Sequence, residues 1–97
     1  MFARLTRFQV RIDTIDKVKK IYEESVIPAT KAQKGYCGNY FLIDRKTGKG
    51  MSITLWDSEE DAVANEKSHY YQEQLEKFID FLTAPYIREG YEIVVQA

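Results

Sequence analysis

The sequence predicts an α+β fold of the ferredoxin-like kind: a four-stranded antiparallel sheet with both helices on one face. Three observations predict it. The elements follow one another as β-α-β-β-α-β, a split crossover whose strands close into this sheet. The polar, glycine-bearing connection Lys46-Thr47-Gly48-Lys49-Gly50 has hairpin length and makes the two strands it joins antiparallel neighbours. No repeat, low-complexity stretch or linker interrupts the 97 residues, so the whole chain, 1–97, reads as one domain.

Each element has a local reason. Residues 2–12 alternate with a period of two: Phe2, Arg4, Thr6, Phe8, Val10 and Ile12 share one face, and Ala3, Leu5, Arg7, Gln9 and Arg11 the other. Asp13 or Thr14 then offers a helix cap. Ile15, Val18, Tyr22, Val26 and Ala29 follow at helical steps, with Asp16–Lys20, Lys19–Glu23 and Lys20–Glu24 on the opposite face. Pro28 is expected to end or kink this helix near Val26, leaving a short turn over 29–33 before Gly35. Residues 36–45 and 51–56 read as the second and third strands. Asp57 or Ser58 caps the next helix, with Glu59, Glu60 and Asp61 where the helix dipole favours negative charge. Near Lys67 that pattern ends, and Ser68 caps a further segment with the apolar stripe Tyr71, Leu75, Phe78, Ile79 and Leu82. Pro85 marks its stop, and residues 87–96 form the last strand.

Helices shield one sheet face, yet the strands are apolar on both. Tyr40 and Leu42 oppose Phe41 and Ile43, and Tyr91, Ile93 and Val95 oppose Val94. A half-solvated antiparallel sheet shows polar residues on its open face instead. A two-fold copy of the same sheet is the simplest cover, so a homodimer through the open sheet face is expected. Small size points the same way, because a domain this short buries only about 60–65% of its unfolded surface.

Composition excludes several classes. With 14 Lys plus Arg against 15 Asp plus Glu, the net charge of −1 lacks the basic surplus of a nucleic-acid binder. A hydrophobic fraction of 44% and a charged fraction of 30% exclude intrinsic disorder. No apolar run reaches the roughly 20 residues that span a bilayer, and no apolar signal segment opens the chain. With a single cysteine, Cys37, expected to be a small buried apolar group, the expectation is a cytoplasmic protein without membrane contact. Charge is distributed unevenly. The first half is basic and residues 57–80 are acidic, with two cationic and eight acidic side chains there. Such a pattern serves either a solvated helix with pairing between elements or a positive cleft edge. Arg4 and Arg7 sit mid-strand, where an arginine must face a cavity, a partner or the dimer interface.

No dinucleotide fingerprint, P-loop or nucleophile elbow is present, and one His with one Cys shows no zinc-ligand spacing, so neither a cofactor nor a metal is expected. His69 is the one side chain of the type that changes charge near neutrality; it serves either as a surface or capping residue or as a cleft acid, base or substrate contact. Trp56 ends the third strand as a packing anchor or a cleft wall. Tyr36, Tyr40, Tyr70, Tyr71 and Tyr91 exceed the needs of a core, so several are expected to face a pocket or the dimer interface.

Pro28, the run Gly35-Tyr36-Cys37-Gly38 and the stretch Ile53-Thr54-Leu55-Trp56-Asp57-Ser58-Glu59-Glu60-Asp61-Ala62 resemble the antibiotic biosynthesis monooxygenase domain of the dimeric α/β-barrel superfamily. The resemblance covers nearly the whole chain, to Tyr91-Glu92-Ile93. It implies protomers joined sheet face to sheet face, each with a ligand cleft between sheet and helices. Some members of that family oxygenate polycyclic phenols with O2 and neither metal nor flavin, and others degrade haem. The haem-degrading branch uses an Asn on the first strand and a Trp and a His in the second helical region. Thr6, Asn65 and Leu75 stand at those places and His69 lies off that register, so haem degradation is disfavoured. The resemblance thus implies a cofactor-independent monooxygenase acting on a small aromatic or quinol-type substrate. The alternative is a non-catalytic ligand-binding or stress-related dimer with the same cleft. Candidate catalytic residues are His69 and Trp56; candidate substrate contacts are Arg4, Thr6, Tyr40, Asn65 and Tyr71.

Overall fold

The computed structural model describes residues 1–97. Strand β1 (Phe2–Gln9) leads through a 3-10 turn (Ile12–Thr14) into α1 (Ile15–Ile21), a π-helical turn (Tyr22–Val26) and α2 (Ile27–Lys31). Strands β2 (Tyr36–Ile43) and β3 (Lys49–Trp56) form the expected hairpin, and α3 (Glu59–Glu66), α4 (His69–Ile79) and β4 (Ile87–Glu92) complete the chain. The four strands lie in the order β2-β3-β1-β4, every pair antiparallel. This is the α+β, ferredoxin-like arrangement. No helix is long and apolar enough to cross a membrane.

Three local expectations need correction. Pro28 does not stop the first helix. It sits in the first turn of α2, and the π-turn before it relieves the crowding between its ring and the preceding carbonyls. The first helix has no side-chain cap; the Thr14 hydroxyl donates instead to the Arg11 carbonyl at 2.7 Å and holds the 3-10 entry. The outer strands are shorter than their alternation. β1 ends at Gln9 because Val10 leaves the ladder to bridge Leu82. β4 ends at Glu92 because Phe2 is its last ladder partner, so Val94 and Val95 have no strand to pair with. Ser58 and Ser68 do cap α3 and α4, each accepting at 3.1 Å from the backbone N–H of Asp61 and Tyr71.

Register divides the sheet between two faces. Phe2 lies opposite Trp56, Arg4 opposite Thr54 and Thr6 opposite Ser52, all on the helix side. Leu5, Met51, Ile53, Leu55, Tyr40, Leu42, Ile87 and Tyr91 fall on the other side, and Tyr40, Leu42, Ile87 and Tyr91 are exposed. Beneath the helices the core is in two parts. Phe2, Trp56 and Ala62 form one, with Tyr36 against them. Val10, Ile15 and Val18 form the other, surrounded by Phe8, Phe41, Ile43, Phe78, Phe81 and Leu82.

Cys37 is exposed, not buried. The register of β2 against β3 shifts between Tyr36 and Gly38, and this bulge turns the cysteine out of the alternation. Its thiol donates to Asp57 Oδ1 at 3.0 Å. That hydrogen bond, with some desolvation and the negative charge of Asp57, raises the thiol pKa above its ordinary value. The thiolate is the nucleophile, so the shift slows alkylation wherever a free cysteine would already be ionising. Iodoacetamide at pH 8 is therefore expected to label Cys37 severalfold more slowly than a free cysteine, and Asp57→Asn to restore the faster rate.

Candidate functional site

A cavity of about 130 Å³ lies between the sheet and the helices, bordered by residues of both core clusters. Its floor is the helix-facing side of the sheet: Thr6 and Phe8 from β1, Asn39 and Phe41 from β2, and Ser52, Thr54 and Trp56 from β3. The π-turn and α2 supply Tyr22, Val26, Ala29 and Thr30, while Ala62 and Asn65 come from α3. Tyr70, Tyr71, Gln74, Leu75 and Phe78 come from α4, whose helical stripe turns Tyr71, Leu75 and Phe78 toward the sheet.

One end of the floor is a closed polar network in apolar surroundings. The Tyr22 hydroxyl donates to Asn39 Oδ1 and shares a 2.8 Å hydrogen bond with Ser52 Oγ. Asn39 Nδ2 donates to Thr54 Oγ1 at 3.0 Å. The Tyr22 ring is buried, stacked on Phe41 at 4.0 Å between centroids and edge-on to Phe78 at 6.0 Å. Burial pushes the Tyr22 pKa up, and the bonds to Ser52 and Asn39 oppose the rise without cancelling it. Tyr22 thus remains a neutral phenol that fixes the amide of Asn39. Above it, Ser25 Oγ donates to Gln74 Oε1 at 2.8 Å and ties the π-turn to α4.

At the other end Arg4 lines the cavity, and Glu66 and Arg88 lie just outside its lining, Arg88 beside the lining residues Tyr71 and Tyr86. Arg4 and Arg88 both pair with Glu66: Arg4 through its Nε to Oε1, and Arg88 through Nη1 to Oε2 at 3.1 Å. Arg4 Nε and Glu66 Oε1 are sealed from solvent and depend on each other as ion-pair partners. The Arg88 guanidinium lies 5.1 Å from the ring centre of Tyr71 and 5.9 Å from that of Tyr86. Burial raises the Tyr71 pKa, opposed by the positive charge of Arg88.

Of the residues read from the sequence, Arg4, Thr6, Trp56, Asn65 and Tyr71 line this cavity together. His69 does not. It is the first residue of α4, its imidazole is largely exposed, and Nε2 lies 2.8 Å from Glu73 Oε1. Two residues before Tyr71 on a helix is about 200° round the axis, which turns His69 to solvent. Tyr40 is also outside, because Asn39 and Phe41 face the helices and strand alternation sends Tyr40 to the open face. Sequence reasoning missed Tyr22 as a polar hub, along with Asn39, Ser52, Thr54, Glu66, Tyr86 and Arg88. Ser52 and Thr54 did carry a signal: they are the polar members of an alternation whose other members are Met51, Ile53 and Leu55.

Fold and cavity together define the class: a ferredoxin-like α+β domain with a lined cavity between sheet and helices. No family model matches the sequence. Solved structures of the antibiotic biosynthesis monooxygenase fold superpose along nearly its whole length. A Nitrosomonas europaea protein named for these monooxygenases matches with TM-score 0.81 and 14% identity over 98% of this chain and 100% of its own. A variant of SnoaB, a cofactor-independent oxygenase from Streptomyces nogalater, matches with TM-score 0.82 and 10% identity over 98% of this chain and 94% of its own. A Mycobacterium tuberculosis protein matches with TM-score 0.78 and 17% identity over 99% and 97%. These likenesses establish the fold. By sequence, the chain is 32% identical over 56 residues to two uncharacterized proteins of Mycobacterium tuberculosis, a match covering 58% of this chain and 25% of theirs.

The Tyr22 network can be tested by removing one oxygen. Tyr22→Phe keeps the ring on Phe41 but leaves Asn39 Oδ1 without its donor. It is expected to lower stability in urea unfolding by about 1–3 kcal/mol. A change near zero would mean that the amide finds another donor.

Proposed function

We propose that the chain is a cofactor-independent monooxygenase that takes a small aromatic or quinol-type substrate into this cavity and works as a homodimer through its open sheet face. The observation that carries this reading is the cavity lining: a tryptophan and several tyrosines and phenylalanines enclose a space whose floor, apart from Arg4 at one end, offers hydroxyls and one amide. Flat aromatic surface suits such walls, and Thr6, Asn65 and Tyr71 would hydrogen-bond the oxygens of a quinol. Trp56, fully buried against Phe2 and Ala62, would back the cavity wall and help keep water out. The resemblance of Ile53-Thr54-Leu55-Trp56-Asp57-Ser58 to the monooxygenase domain and the cofactor-independent oxygenase among the fold neighbours support the reaction class.

The reaction balances on substrate and O2 alone. One oxygen atom replaces a ring C–H, the second leaves as water, and the quinol becomes a hydroxyquinone, supplying all four electrons that O2 accepts. The chain's part is to hold the quinol, orient the ring and keep water out.

A second reading has its own observation. His69 faces solvent, and the Glu66 carboxylate is engaged by two guanidiniums, so neither stands free to take a proton from a bound phenol. This favours a binding protein with the same cavity.

Oxygen uptake with a panel of hydroquinones in chelator-treated buffer separates the two. Label from ¹⁸O2 in a hydroxyquinone product, with Asn65→Ala lowering kcat/KM at least about tenfold and His69→Ala leaving it unchanged, is the expected result. Quinols that quench Trp56 fluorescence without consuming oxygen would establish the binding protein instead.

The dimer rests on a separate surface. Leu5, Tyr40, Leu42, Ile53, Leu55 and Ile87 make an apolar sheet face that no part of the chain covers. Arg7, Glu89 and Tyr91 supply its polar atoms and satisfy one another, with Arg7 Nε 2.6 Å from Glu89 Oε1 and the Tyr91 hydroxyl donating to Oε2 at 2.7 Å. At micromolar concentration the eluting mass is expected to be twice 11.4 kDa; elution at the mass of one chain would overturn the dimer.

A further inference from the structure

Two guanidiniums share one carboxylate at the end of the cavity where α3 and β4 meet. Glu66, Arg4 and Arg88 have side-chain exposures of 18%, 20% and 28%, so all three are mostly withdrawn from water. Within this triad the formal charges sum to +1, and the other carboxylates near Arg4 are exposed to water, which screens them. A partly buried cation that shares its counter-ion costs free energy, and residues that keep it beside a cavity make that end a place for an anion.

The anchoring is specific. Arg4 lies over the Phe2 ring at 5.3 Å. A Cβ at Gly90, its partner across the ladder, would stand 2.5 Å from Phe2 Cζ and 2.6 Å from Arg4 Nη1, so a side chain there would displace both groups. Burial works against the charge of Arg88, but Tyr71, Tyr86 and Glu66 outweigh it and raise its pKa. Tyr71 carries a raised pKa and adds a neutral hydroxyl beside the same guanidinium. On its outer side Arg4 also borders Asp57, Glu59 and Glu92, which are exposed and form no ion pair with it.

We infer that Arg4 and Tyr71 of the lining, with Arg88 beside Tyr71, form an anion subsite at this end of the cavity, and that the ligand is an aromatic carboxylic acid bound as its carboxylate. The acid is singled out because its charge is permanent at neutral pH, whereas an ordinary phenol is protonated there. An Arg-paired carboxylate gains charge-assisted hydrogen bonds that a neutral group of the same shape does not. This rests on the reading that the cavity takes an aromatic ligand, and it adds to that reading which aromatic.

The test uses 2-naphthoate and its neutral isostere 2-naphthamide, titrated into the full chain at low salt and followed by Trp56 fluorescence. The wild type is expected to bind the carboxylate about tenfold more tightly than the amide, as one added charge-assisted contact gives. Arg88→Gln leaves Arg4 and Glu66 balanced and should bring the two probes to parity. Glu66→Gln frees both guanidiniums and should widen the preference by a further factor of about ten. A structural role for Glu66 would instead weaken both probes together. Equal binding of the two probes by the wild type overturns the anion subsite while leaving the aromatic cavity standing. Binding of neither probe overturns both. A carboxylate preference that survives Arg88→Gln, or that shrinks in a folded Glu66→Gln, also overturns it. Should Glu66→Gln fail to fold by circular dichroism, Arg88→Gln alone decides.

Discussion

A strand can send only every second side chain to a given face, and the two neighbours of this sheet make incompatible demands. The helices need apolar groups to pack on, while the cavity beneath them is floored partly by polar groups. The β1–β3 ladder meets both demands along its length. Phe2 with Trp56, at one end of the helix-facing row, and Phe8 opposite Gly50, at the other, serve packing; Arg4 with Thr54 and Thr6 with Ser52 lie between them. Because the central pairs are polar, the core cannot be continuous, and it divides into the cluster around Trp56 and the cluster around Val18. The cavity follows from that division.

Polar floor residues must be paired to be tolerated beneath packed helices. Tyr22 performs that service from the opposite side. A regular helix through Pro28 would crowd the carbonyls before it, whereas the π-turn over Tyr22–Val26 lets the chain run on into α2. The hydroxyl of Tyr22 reaches Asn39 and Ser52 from this turn, while its ring stays in aromatic contact with Phe41 and Phe78. One residue therefore joins the helical layer to the sheet, closes the core cluster on one side and satisfies the polar floor on the other.

Much of this was legible in the sequence. Alternation placed Arg4 and Thr6 on the cavity side of β1, the Ser58 and Ser68 caps fixed where two helices begin, and the glycine-bearing loop announced the hairpin. What failed were features that depend on parity or on angle. The bulge between Tyr36 and Gly38 is invisible in the alternation, and it turns Cys37 outward. His69 drew attention as a residue type, but one cap residue earlier on α4 set its direction, and that direction is solvent. Glu66 and Arg88 were unreadable because they are 22 residues apart and meet only when β4 returns alongside β1.

These departures take the histidine out of the cavity and leave Arg4 in its lining, with Arg88 beside it. An exposed imidazole paired with Glu73 contributes to the surface of α4. Arg4 and Arg88, by contrast, are held by a shared carboxylate and by aromatic rings, with Arg4 and the Phe2 ring filling the space over Gly90. Holding like charges together in a small, partly dry space opposes folding, and a domain with so few fully buried residues has little stability to spend. The dimer proposed above would offset that loss on the uncovered sheet face, where Arg7, Glu89 and Tyr91 already satisfy their own polar atoms.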